Sequence, residues 1–329
     1  MNLFVCINNG IKTVHKNYQL LFIHFLFLFV SFFGLFFILS IPLGILFIIF
    51  GIDLTDILKE SFFDMILSSI NLMKKFLIFA VVFLFCLFVY IIMVFMLWVY
   101  IFSGTVGIMS QFLQKGITFN SKDFNRYGKQ FFWKVAFFTI FSVLIFIFLT
   151  FVFGFIGEVS SKITAFLNRY SHAVSVFFNV FFYLSILFAS ILVFILWITY
   201  TLFGFYGIFI KNFSVKEAIK ETRKILMLYP QSIGRATLLF ITYILMFGVI
   251  LSFVPMLAVI PHIGTFLAAV YQFVTQFAHI YISMVVFASF LSYYLSIDSF
   301  SIKTPEQTET LPSGGSQSQP QSLPPEELS

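Results

Sequence analysis

The sequence predicts an all-α polytopic membrane protein, six transmembrane helices joined by amphipathic interfacial linker helices. Three observations predict it. The 329 residues are 60% hydrophobic and 10% charged, with a mean hydropathy of +1.04, where a soluble domain is about 25% charged. The Asp, Glu, Lys and Arg residues leave five long blocks without charge, at 17–52, 76–114, 135–157, 170–210 and 236–297. Finally, a pattern of small, aromatic and basic residues at 100–134 returns one hundred residues later.

The blocks give the spans. A membrane helix needs about 20 apolar residues, and a charge at its centre costs roughly 2.5–3.5 kcal/mol on the insertion scale. Four blocks therefore hold one span each. The fifth holds two, with Pro255, Pro261 and Gly264 at the turn between them. The spans fall near 20–41, 77–102, 135–157, 178–203, 237–254 and 266–295, inside a membrane domain covering 1–296.

The first apolar block is too long for the core of a cleaved signal and has no small-residue cleavage site, so it reads as a retained anchor. Gly34, Pro42 and Gly44 leave two forms open for it: one kinked span, or a span followed by a re-entrant segment. Between the first two spans, residues 54–73 carry apolar side chains at helical spacing, with Asp53, Asp56, Glu60 and Asp64 around the other face. That pattern suits a helix lying flat on the outer surface, and 160–173 reads as a shorter version. Residues 297–329, rich in Ser, Gln, Pro and Glu, form a tail too polar to fold, expected to be disordered and cytoplasmic.

Charge sets the orientation. With a cytoplasmic N-terminus, fourteen Lys and Arg lie inside and five outside, the bias that positive-inside insertion produces. Both termini are then cytoplasmic, in a bacterial inner membrane. The net charge of +6 belongs to this topology, because the basic residues sit between apolar runs, and no nucleic-acid partner is expected. The 53 Phe reflect a compositional bias that lipid tolerates. Cys6 and Cys86 make neither a disulfide framework nor a metal site.

The repeated unit starts with Tyr100, Gly104 and Gly107 and enters a linker holding Lys115, Lys122, Arg126, Lys129 and Lys134. The second copy has Tyr200, Gly204 and Gly207, then Lys211, Lys216, Lys220, Arg223, Lys224 and Arg235. In the second linker Ser214 and Glu217 fit a capping box. An apolar stripe through Val215, Ala218, Ile219, Thr222, Ile225, Leu226 and Tyr229 follows, until Pro230 ends the helix. In the first, Asn120 caps a helix with Asp123 in its first turn, and Phe124, Tyr127, Phe131 and Phe132 form the apolar side. Each linker reads as a short helix at the cytoplasmic interface. Lys122, Arg126, Lys129, Lys216, Lys220, Arg223 and Lys224 are the candidate contacts for anionic headgroups, although such charges also serve topology alone. Gly104, Gly107, Gly204 and Gly207 either let helices approach closely or terminate them. The copies lie two spans apart and point the same way, unlike an inverted repeat.

Chemistry is sparse. The spans hold no charged residue, the usual mark of a membrane enzyme or proton-coupled pump. No carboxylate pair, metal-binding His spacing, phosphate loop or nucleophile elbow occurs. We therefore expect no catalytic, cofactor or metal residues. The one polar stripe is in the sixth span: Gln272, Thr275, Gln276, His279 and Ser283 share a helix face. In lipid such groups must find partners inside the bundle, so the stripe is either helix–helix hydrogen bonding or a polar path in the outer half of the membrane. His24 in the first span is its partner or an interface residue.

The run 100–133, with GTVGIMSQFLQKGITFNSKDFNRYGKQFFW, and the later SVKEAIKETRKILMLYPQSIGRATLL resemble a pattern in bacterial six-span membrane proteins. In that pattern a glycine-ended span leads into a short Ala-plus-basic linker helix and then a small or aromatic start to the next span. The group includes the membrane domain fused to some glycerophosphodiester phosphodiesterases, together with uncharacterised stand-alone relatives. The resemblance covers roughly 70–295. LYPQS stands where the group carries an aromatic residue after the second linker helix. The resemblance implies architecture and phospholipid contact, and no activity. The expectation is a non-enzymatic envelope protein that contacts membrane lipids, preferentially anionic, at the cytoplasmic leaflet, with a membrane partner or a second copy as further contacts. The alternative is a transporter of a small or amphiphilic solute along the polar face of the sixth span.

Overall fold

A computed structural model describes residues 3–49, 77–258 and 263–301. Among these the chain is helical apart from short turns, with no strand. The helices are α1 Leu3–Lys16, α2 Gln19–Ile49, α3 Leu77–Lys115, α4 Ser121–Asn168, α5 His172–Lys211, α6 Val215–Leu228, α7 Gln231–Ala258 and α8 Gly264–Ser301. Six of them, α2, α3, α4, α5, α7 and α8, are long and apolar enough to cross a membrane. The tail expected from 297 starts later, because α8 continues to Ser301; its remainder, 302–329, and the expected surface helix at 54–73 lie outside the described residues.

Short turns bring α3 against α4, α4 against α5 and α5 against α6. α3 ends where Gly116 takes a left-handed backbone (φ 71°) and its N–H donates to Phe112 at 2.8 Å. α5 ends the same way at Asn212 (φ 56°). The left-handed turn satisfies carbonyls that the last helical turn leaves unpaired. Thus the two copies of the repeated unit share a helix stop as well as a sequence pattern. Contacts bring the ends together: Lys134 of the first linker donates to the Asn212 carbonyl at 2.7 Å, Lys211 pairs with Glu221 at 3.3 Å, and Arg235 donates to the Tyr293 hydroxyl at 3.2 Å. The basic residues of both linkers therefore gather at one end of the bundle.

Packing is densest at that basic end. Ile108, Phe203, Tyr206, Phe290 and Tyr294 are buried in one cluster, and Val106, Phe131, Phe138 and Ile208 in a second beside it. Towards the other end α4 and α5 lean mainly on each other. There Phe148, Phe151, Phe177 and Phe181 are all exposed on the bundle surface. Apolar side chains facing hydrocarbon lose nothing by it, because no hydrophobic force drives helices together within lipid.

Several sequence expectations change. The first linker is not a separate helix: α4 runs unbroken for 48 residues from its Asn120 cap to Asn168. Nothing in that stretch is a proline, and of its glycines Gly128 is packed against Tyr100 while Gly154 and Gly157 face open space. The linker at 160–173 is likewise no surface helix, but the end of α4, a turn, and the Ser171 cap that opens α5. The second linker does form its own helix. α6 has the full capping box, Ser214 and Glu217 each bonding the other's backbone N–H, and stops before Pro230. Pro42 lies inside α2 and Pro255 inside α7, so the first block is one helix as far as Ile49.

α1 was not anticipated. It packs lengthwise on α8 through buried Cys6, Gly10, Thr13 and Val14. Asn9 donates to Ser292 at 3.0 Å, and His15 and Tyr281 share a hydrogen bond of 2.9 Å. The opposite face exposes Phe4, Val5, Lys12 and Lys16. The Cys6, Gly10, Thr13 and Val14 spacing was the readable sign of an amphipathic helix.

Candidate functional site

The glycines of the repeated unit are packing surfaces, not helix ends. Gly104 and Gly107 lie inside α3, where Phe124 and Tyr127 from the start of α4 cover them. A Cβ at Gly104 would come within 2.7 Å of the Phe124 ring, and one at Gly107 within 2.5 Å of Tyr127. In the second copy Gly204 meets Phe138 of α4. Gly207 is roomier, with Phe213 and Ala218 at 3.5–3.8 Å. The tyrosines fasten the same joints: Tyr100 donates to Asn125 Oδ1 at 2.5 Å, and Tyr200 to the Ile219 carbonyl at 3.1 Å. Each basic linker is thus folded back on the span that precedes it.

That fold-back fixes which side of each linker is free. On α6, Ala218, Thr222 and Ile225 are buried, while Lys216, Lys220, Arg223 and Lys224 are exposed. Among the described residues none of these four cations has an ion pair. On α4, Lys122, Arg126 and Lys129 are exposed as well, but Arg126 pairs with Asp123 at 2.9 Å and lies over the Tyr127 ring. Glu217 faces outward, and its hydrogen bonds from the Ser214 backbone and side chain hold its carboxyl below the usual range.

The polar stripe of α8 divides. Gln276, His279 and Ser283 line a cavity of about 310 Å³ between α2, α3 and α8, together with His24 and Thr105. Trp98, Phe102, Met109 and Phe287 supply apolar wall. Gln272 and Thr275 do not line it. Thr275 is buried and turns its hydroxyl back to the Gln272 carbonyl at 2.6 Å. His279 shares a 2.6 Å hydrogen bond with Tyr243 of α7, and His24 shares one of 3.2 Å with Thr105 of α3. The stripe therefore serves both readings offered by the sequence, helix fastening and cavity lining. Its position differs from the expected outer half. His24 lies five residues into α2, about 8 Å of helix from its start, so the cavity belongs to the half nearer the basic end.

Thr105 and Tyr243 were missed. Thr105 has Ser103 and Ser110 near it in α3 and Tyr243 follows Thr242 in α7, so no stripe singles either out, and only the pairing of helices reveals its partner. Cys6, outside the spans, is buried, which pushes its thiol pKa up. Among the described residues no three His, Cys, Asp or Glu come together as a metal-holding group.

These features define an all-α, multi-pass membrane protein with a cationic end and a polar-lined cavity beside it. No protein-family model, curated protein or solved structure matches the chain, so the resemblance to phosphodiesterase membrane domains rests on the residues quoted above.

Proposed function

We propose that this is a non-catalytic protein of a bacterial inner membrane whose basic end binds anionic phospholipid headgroups of the cytoplasmic leaflet. One observation carries the reading: Lys216, Lys220, Arg223 and Lys224 share an exposed face of α6, without ion pairs among the described residues. Each such cation near an anionic surface contributes about 1 kcal/mol. The lysine and arginine bias along the chain supports a cytoplasmic position for that face and for both termini. The resemblance to phosphodiesterase membrane domains supports phospholipid as the contact. The test is native mass spectrometry of protein purified from mixed vesicles. Wild type should retain phosphatidylglycerol over phosphatidylethanolamine, and the variant with all four cations changed to Gln should lose that preference. An unchanged preference would count against the reading.

The cavity at Gln276 and His279 favours a second reading, transport of a small or amphiphilic solute along α8. A continuous path requires water to reach Gln272 as well. A cysteine at that position should then react with a water-soluble thiosulfonate, and failure to react removes the path.

A further inference from the structure

We propose that the cavity between α2, α3 and α8 is a binding site for a neutral amphiphile, a lipid with an uncharged head bearing hydroxyl or carbonyl groups. The inference is independent of the headgroup contact on α6. Polar atoms inside hydrocarbon are costly unless hydrogen-bonded. Yet the side chains of Gln276 and Ser283 make no hydrogen bond among the described residues, while both line the cavity. His24 and His279 each commit one ring nitrogen, to Thr105 and Tyr243. Their other ring nitrogens have no partner among the described residues. Four side chains from two helices thus offer donors and acceptors to one space.

The surroundings select the head. No charged side chain lines the cavity, so an ionised phosphate drawn in would have no counter-charge. Hydroxyl and carbonyl groups need only the hydrogen bonds available. At about 310 Å³ the cavity is at the small end of ligand sites. It takes a head and the first part of a chain, against Trp98 and Phe102. Gln276 and Leu28 line it and are exposed on the bundle surface, which leaves a lateral way out for the rest of the chain.

The probes are a diacylglycerol and a phosphatidylglycerol carrying the same diazirine acyl chain, photolysed with the full-length protein in nanodiscs. Diacylglycerol should cross-link to α2, α3 or α8 peptides that line the cavity. Ser283→Phe, which fills it, should reduce that labelling at least fivefold, as should Gln276→Leu. Both variants should melt as wild type does. The variant with four Gln on α6 should label as wild type does, so this site and the headgroup contact fail separately. Two results overturn the proposal: labelling unchanged in Gln276→Leu and Ser283→Phe, or phosphatidylglycerol labelling the cavity as strongly as diacylglycerol.

Discussion

Lys134 of α4 donates to both the backbone carbonyl and the side-chain oxygen of Asn212, at 2.7 and 2.8 Å. Asn212 is the left-handed residue that ends α5. The ammonium therefore sits at the negative end of the helix dipole, where a cation stabilises, and it joins the two copies of the repeated unit. Lys134→Met removes both bonds and should lower stability in detergent by about 1–2 kcal/mol, discounted for the exposure of the pair. Asn212→Gly should cost less, because glycine keeps the left-handed backbone. Asn212→Val should cost more, because a β-branched residue strains there. Thermal melting in detergent checks the order. Equal melting of wild type and Lys134→Met would show that the joint carries no weight.

The glycine faces make a graded prediction. Gly107→Ala drives a methyl into Tyr127, whereas Gly207→Ala meets only ordinary contacts. The first should destabilise by about 1–3 kcal/mol through overpacking. The second should be neutral, or slightly stabilising through alanine's higher helix propensity. Gly10→Ala joins the first group, since its Cβ would lie 2.6 Å from the Val285 carbonyl oxygen, and it should loosen α1 from α8. Limited proteolysis at α1 reads that loosening, and an unaltered digest would contradict it.

The α6 cap predicts a pH dependence. Hydrogen bonds from Ser214 hold the Glu217 carboxyl below its ordinary value. A carboxyl whose pKa is depressed on folding adds stability above its unfolded pKa of about 4.3 and loses it as pH falls through the folded value. The first turn of α6 should therefore exchange its amide hydrogens faster, relative to neighbouring helices, as pH drops below about 4.3. Glu217→Gln should abolish that change. A first turn equally protected at all pH values would show that the carboxylate does not hold the cap.

The spans were legible because a charge in hydrocarbon is costly, so the charge-free blocks mark them directly. The helix ends were less so. Charges at Lys122, Arg126 and Lys129 look the same whether they belong to a surface helix or to the first turns of a long span. What separates the two copies is Pro230, which breaks the second linker from α7, while nothing breaks α4. The glycine pairs were visible as small residues, but their partners Phe124 and Tyr127 are known only once the linker folds back. The α8 stripe was visible too, though not its division, because Thr275 and Ser283 look equivalent until α2 and α3 take their places. α1 escaped because it is short, although Cys6, Gly10, Thr13 and Val14 already share one helix face in the sequence; what the sequence hides is that α8 covers that face.

The proposed lipid contact requires six crossings with the basic linkers on the cytoplasmic side. Cysteine labelling tests that directly, in a background with Cys6 and Cys86 changed to Ala. An impermeant maleimide applied to intact cells should label Lys162→Cys, at the far end of α4, and leave Lys220→Cys on α6 untouched until the membrane is permeabilised. Labelling of Lys220→Cys in intact cells, with Lys162→Cys protected, would contradict the topology and the lipid contact built on it.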